Sequence, residues 1–133
     1  MPEKEIIRGS PFSEGAERLG VPISTAVRGS GMVFVSGMPP LDLQSVRPVQ
    51  GDMGQKATQC LENVRKVLET AGSSLEKVLK ATVYATDPDQ FAAINRTYAR
   101  FFRQDFPART FVAVKGWPEG MGFDIESECP ALA

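Results

Sequence analysis

Between Asp52 and Ala71 the apolar positions Met53, Ala57, Cys60, Leu61, Val64, Val67, Leu68 and Ala71 recur at steps of three and four residues, the spacing that lines one face of an α-helix. Gly72 stands where such a helix stops. A second helical pattern opens at Asp87-Pro88, a capping residue followed by a proline at its favoured first position. Phe91, Ile94, Tyr98, Phe101 and Phe102 share one face of it, and Phe106-Pro107 ends it. The remaining apolar runs are short. Ile6-Ile7 predicts a first strand, with a Ser, Gly and Pro-bearing loop running through Pro22. Ser24 to Arg28 and Met32 to Ser36, separated by Gly29-Ser30-Gly31, predict a hairpin, and Met38 to Pro48, with three prolines, predicts a loop. Val78 to Thr86, Arg109 to Lys115 and Phe123 to Glu128 predict three more strands, with a loop over Gly116 to Gly122. The order β, ββ, α, β, α, β, β is an α+β pattern in which two helices cover one face of a mixed sheet. The other face is left to pack against another copy of the chain.

Length and composition narrow the class. At 133 residues the expectation is a single domain over residues 1–133, and 42% hydrophobic with 23% charged residues is the balance of a folded globular protein. Lys and Arg number 15 against 16 Asp and Glu, so the net charge of -1 offers no basic field and counts against nucleic acid as a partner. The opening Met1-Pro2-Glu3-Lys4-Glu5 is charged, and no stretch approaches the roughly 20 apolar residues of a membrane span, so a cytoplasmic protein without a membrane partner is expected.

The chain contains no histidine, which removes the commonest general base and metal ligand together with Ser-His-Asp and Cys-His nucleophile systems. Cys60 and Cys129 match no metal spacing; Cys60 falls in the apolar helix stripe, while the place of Cys129 near the C-terminus leaves its exposure open. No metal and no cofactor is expected, and chemistry must run on arginine, carboxylates, hydroxyls, backbone groups and water.

Strand alternation supplies the candidates. Arg109 shares a face with Phe111 and Ala113, an apolar neighbourhood in which a permanent cation asks for an anionic partner. Asp124, Glu126 and Glu128 share one side of the last strand, either as a solvated face or with one of them in a cleft, where like-charge repulsion would raise the proton affinity of the middle carboxylate. Asn95 and Tyr98 are neighbours on the second helix; Tyr98 reads as a core aromatic with its hydroxyl at the edge, Asn95 as a group able to reach backbone or ligand. Gly37 and Gly31 serve turns or permit close approach to backbone, and Trp117 reads as a loop aromatic packed at an interface.

Taken together, Phe34-Val35-Ser36-Gly37, Gln59-Cys60-Leu61-Glu62-Asn63-Val64, Ala71-Gly72, Val83-Tyr84-Ala85-Thr86-Asp87, Ile94 to Phe102, Phe106-Pro107-Ala108-Arg109-Thr110 and Ile125-Glu126 resemble the RidA (YjgF-type, reactive intermediate deaminase) family, once labelled L-PSP endoribonucleases. The resemblance covers about residues 21–127. It implies a chorismate-mutase-like α+β fold assembled as a homotrimer with clefts between subunits. It further implies an imine deaminase that hydrolyses small 2-imino acids to 2-oxo acids and ammonia. In that scheme Arg109 holds the substrate carboxylate, Glu126 positions water, and Gly37, Asn95, Tyr98, Thr110 and Ile23 shape the cleft. Ile23, in Val21-Pro22-Ile23-Ser24, stands where many members carry a tyrosine, and Gly116-Trp117-Pro118 and Glu128-Cys129-Pro130 also depart from the common wording, which points to a different substrate pocket. The alternatives are a catabolic deaminase of an aminomuconate-like or aminoacrylate-like intermediate and a non-catalytic trimer that binds carboxylate metabolites. Ribonuclease activity is least favoured, for want of a phosphate-binding field and of a histidine acid-base pair.

Overall fold

The computed structural model describes residues 3–9, 20–45, 47–118 and 124–133. Among them the chain forms strands β1 (Glu5–Ile7), β2 (Ala26–Gly29) and β3 (Met32–Val35), helix α1 (Met53–Thr70), strand β4 (Lys80–Ala85), helix α2 (Phe91–Phe101), and strands β5 (Ala108–Ala113), β6 (Ile125–Glu128) and β7 (Ala131–Leu132). No helix among the described residues is long and apolar enough to cross a membrane.

Helix α1 begins with a capping box: Gln55 N donates to the Asp52 carboxylate and Asp52 N donates to Gln55 Oε1, each at 2.9 Å. At its other end Gly72 takes a φ of 81°, and the Arg28 guanidinium, paired with Glu5, donates to the Ala71 carbonyl, a cation placed at the negative end of the helix. Helix α2 starts later than its proline suggests. Asp87 accepts from Asp89 N at 2.9 Å and closes a single 3-10 turn over Pro88–Gln90, which feeds the α-helix at Phe91.

The strands form two ladders, β1-β2-β3-β7 and β5-β4-β6, with β4 parallel to β5 and antiparallel to β6. Bridges from Met38 to Ser127 and from Val78 to Ala131 stitch the ladders together, so part of the predicted Met38–Pro48 loop pairs with the sheet. The hairpin turn between β2 and β3 is Ser30-Gly31, both with positive φ, and Gly29 belongs to the strand. Val33, Val35, Ala81, Val83, Ala85 and Ile125 are buried beneath the two helices, as the alternation predicts. The opposite face carries Val27, Phe34, Thr82, Tyr84, Thr110, Val112, Glu126 and Glu128, all at least partly exposed.

The core also takes in a residue whose exposure the sequence leaves open. Cys129 has no exposed surface: it sits at the break between β6 and β7, and burial pushes its thiol up to about 12, away from thiolate chemistry. Strand β7, which the pattern does not predict, carries the chain onward to pair with β3.

Candidate active site

Arg109 enters β5 directly after Phe106-Pro107 and pairs with Ala81 of β4, which turns its side chain to the helix-covered face. There its Nη2 donates to Asn95 Oδ1 at 2.6 Å, and the guanidinium carbon lies 5.4 Å from the Phe91 ring centroid and 5.1 Å from that of Tyr98. Residues 91, 95 and 98 are spaced by four and three, so one face of α2 supplies the whole cradle. Two ring faces attract the cation and one amide oxygen fixes its orientation, while most of its five donors stay uncommitted. Among the described residues no carboxylate pairs with Arg109, and the anion that its setting asks for is not supplied by them.

A hollow of about 310 Å³ opens beside Arg109, walled by Tyr98, Ala99, Phe102, Phe106 and Pro107. Two larger surface hollows, of about 540 and 620 Å³, hold none of the residues predicted for the site. The Tyr98 hydroxyl lies 3.0 Å from Ser127 Oγ in the core rather than at an edge, and burial raises its proton affinity well above that of a free phenol. Tyr98 therefore offers Arg109 and the hollow its ring, not its hydroxyl.

Glu126 stands on the other side of the sheet. It pairs with Tyr84, whose parity is opposite to that of Ala81, and its carboxylate lies against Gly37, where a Cβ would come within 2.5 Å of Glu126 Oε1. A larger residue at this position would displace the Glu126 carboxylate, the movable end of its side chain, so glycine is what lets the carboxylate rest there. Burial is the main cause that raises the Glu126 pKa; a hydrogen bond from the Trp117 side chain opposes it, and Glu128 adds a smaller upward push. The expected like-charge repulsion is thus present but secondary to desolvation. The other two carboxylates have partners of their own: Asp124 takes Lys56 Nζ at 3.2 Å, and Glu128 accepts from the Tyr84 hydroxyl at 2.9 Å.

The strands of Arg109 and Glu126, consecutive in the chain, are not neighbours in the sheet. Strand β4 lies between β5 and β6, which separates the two by about 10 Å across the sheet in addition to their opposite facing. Thr110 is exposed on the face of Glu126, and Ile23 is 59% exposed in the segment before β2. Within one chain the structure thus groups Arg109 with Asn95 and Tyr98, and Gly37 with Glu126. Phe91 and Trp117 were not among the predicted site residues. The spacing of Phe91 from Asn95 and Tyr98 was available as a signal, whereas nothing in the local sequence ties Trp117 to Glu126.

The model of the family described as endoribonuclease L-PSP matches residues 18–132. A RutC family protein of Pyrococcus horikoshii is 37% identical over 124 residues, 93% of this chain and 95% of that protein. The crystal structure of YyfA from Yersinia pestis, a member of the conserved Rid protein family, is 29% identical with a TM-score of 0.87, covering 98% of this chain and 100% of that one. The crystal structure of E. coli TdcF with bound serine is 33% identical with a TM-score of 0.77 over 84% of this chain and 88% of that one. With its fold and these likenesses in agreement, the chain belongs to the endoribonuclease L-PSP family, the family of the Rid and RutC proteins.

Proposed function

We propose that this protein hydrolyses 2-imino acids to 2-oxo acids and ammonia, as a homotrimer whose clefts join Arg109 of one copy to Glu126 of the next. The observation that carries the reading is the Arg109 cradle: a guanidinium held by Asn95 and two rings at the rim of a hollow, with no carboxylate partner among the described residues. Such a fork takes a carboxylate through two parallel hydrogen bonds and keeps its charge throughout turnover. That the related TdcF structure holds serine, an α-amino carboxylate, supports the same ligand class.

The chemistry asks little of the residues. With the substrate carboxylate fixed on Arg109, water held by Glu126 adds its oxygen to the imine carbon. Glu126 takes the proton and returns it to nitrogen, which gives a carbinolamine. The hydroxyl proton then passes by the same carboxylate to nitrogen as the C–N bond breaks, releasing ammonia and leaving the 2-oxo acid. A carboxylate whose pKa is raised by burial suits both transfers, since its two forms interconvert closer to neutral pH. Positioning supplies the remainder of the rate, because an imine is already electrophilic.

The test is ammonia release from an imine generated in situ by an amino-acid oxidase. Arg109→Ala should lower kcat/KM by roughly 100-fold or more, since two charge-assisted hydrogen bonds of about 1.5–3 kcal/mol each are lost. Glu126→Gln should lower kcat by about 100-fold with KM nearly unchanged. Full turnover by the Arg109→Ala protein sinks the assignment; binding of 2-oxo acids by the unmodified protein without hydrolysis makes it a metabolite-binding protein instead.

A further inference from the structure

We infer that the hollow beside Arg109 selects 2-imino acids with a large apolar side chain, of leucine or phenylalanine size, over both alanine-sized and dicarboxylic ones. The inference rests on reading Arg109 as the carboxylate binder and adds what that reading leaves open, the other end of the substrate. Among the described residues, the charged and amide side chains of the hollow are Arg109 and Asn95, bonded to each other at one rim. Asn95 commits its Oδ1 to Arg109, so its amide nitrogen is the part that can donate, and it adds to the pull on a carboxylate at that rim. The other lining residues carry apolar side-chain surface: the rings of Tyr98, Phe102 and Phe106, the Ala99 methyl and Pro107. Tyr98 could have given a polar contact, but its hydroxyl is turned into the core against Ser127.

The rest of the argument is which substrate leaves least unpaired. Among the described residues, the lining that one copy supplies holds no carboxylate to receive a cationic side chain and no second cation to receive a second carboxylate, and beside the water-holding Glu126 of the next copy either charge would be stripped of water against aromatic rings. That disfavours an aminomuconate-like dicarboxylate. A methyl or ethyl side chain would fit, but it would not reach the Phe106 ring, which is 70% exposed within one copy and finds no partner there. A branched aliphatic or aromatic side chain covers it and gains the apolar area that both surfaces lose to solvent. At about 310 Å³ the hollow lies at the small end of the range of small-molecule pockets, about 300–1,000 Å³, which suits one amino-acid-sized ligand and nothing larger.

The experiment compares imines made in situ by D-amino-acid oxidase from alanine, leucine and phenylalanine, with the intact protein and with Phe106→Ala. The leucine and phenylalanine imines should show kcat/KM at least about 10-fold above the alanine imine, and Phe106→Ala should remove most of that ratio. Equal rates, or a preference for alanine that Phe106→Ala leaves untouched, overturn the inference while the deaminase reading stands. If no imine is hydrolysed, the deaminase reading fails and calorimetric binding decides the pocket by itself. Tighter binding of 4-methyl-2-oxopentanoate than of pyruvate and 2-oxoglutarate, by about 10-fold, supports it, and the reverse order overturns it.

Discussion

Glu126 is ionised at a cost in the folded chain, and that cost gives it a signature separate from catalysis. Its folded pKa is raised above the ordinary glutamate value, chiefly by burial, so between the two values the folded state binds more protons than the unfolded one. Stability from this group is therefore fully present below the ordinary carboxylate pKa and is lost as pH rises through the raised one. Glutamine keeps an oxygen to accept from Trp117 and carries no charge to desolvate. Glu126→Gln should accordingly be more stable than the unmodified protein at pH 7, and the difference should shrink to nothing as the pH is lowered below the ordinary carboxylate range. Urea unfolding across a pH series measures it; a variant less stable than the parent at pH 7 contradicts the account. At this scale half of the site is legible along the chain. Alternation along β5 and β6 identified Arg109 and Glu126 as unusually placed charges. It could not tell that the close partner of Arg109 is an amide 14 residues earlier, or that Glu126 is nested on Gly37 in the segment after β3.

The elements were legible where one period runs long enough to be read. Helix α1 was recognisable from its stripe and from Asp52 and Gly72, and β6 from the buried Ile125 and Ser127 between its carboxylates. Strand β7 was not, because two residues after Cys129-Pro130 have no period, and only pairing with β3 defines them. The α1 stripe also hides a polar member. Asn63 is fully buried among the apolar residues; its amide nitrogen donates to the carbonyls of Pro39 and Leu41, and its oxygen accepts from Gln59, each at 2.9 Å. These bonds hold the segment that follows Gly37 against α1, and so support the glycine on which Glu126 rests. Asn63→Ala leaves buried acceptors without a donor, which should destabilise the fold by about 2–4 kcal/mol, seen as a lower urea midpoint. A loss under about 0.5 kcal/mol would mean that water replaces the amide without penalty.

At the scale of the whole molecule, two features of one chain are incomplete in the same direction. The sheet face away from the helices carries Phe34, 49% exposed, beside Val27 on β2 and on a face continuous with Glu126 and Thr110. A sheet of mixed ladders covered on one side only leaves such a face wet unless another body covers it. The two halves of the proposed site, meanwhile, lie on opposite faces with β4 between them, so no side-chain motion within the chain brings them together. Packing copies against each other resolves both at once if the open face of one copy, with its Glu126, meets the edge strand β5 of the next, with its Arg109. This makes assembly and activity a single property. Phe34→Glu, which puts a charge into the proposed contact without touching either half-site, should prevent the proposed trimer from forming, as read by sedimentation or light scattering. It should also lower imine hydrolysis by about 100-fold or more while leaving the circular dichroism of the chain native. The loss should be concentration-dependent and partly recovered at high protein concentration, because mass action drives weakened copies back together. Native activity in a protein shown to be monomeric would mean that one chain completes its own site, and would remove the intersubunit cleft from the mechanism.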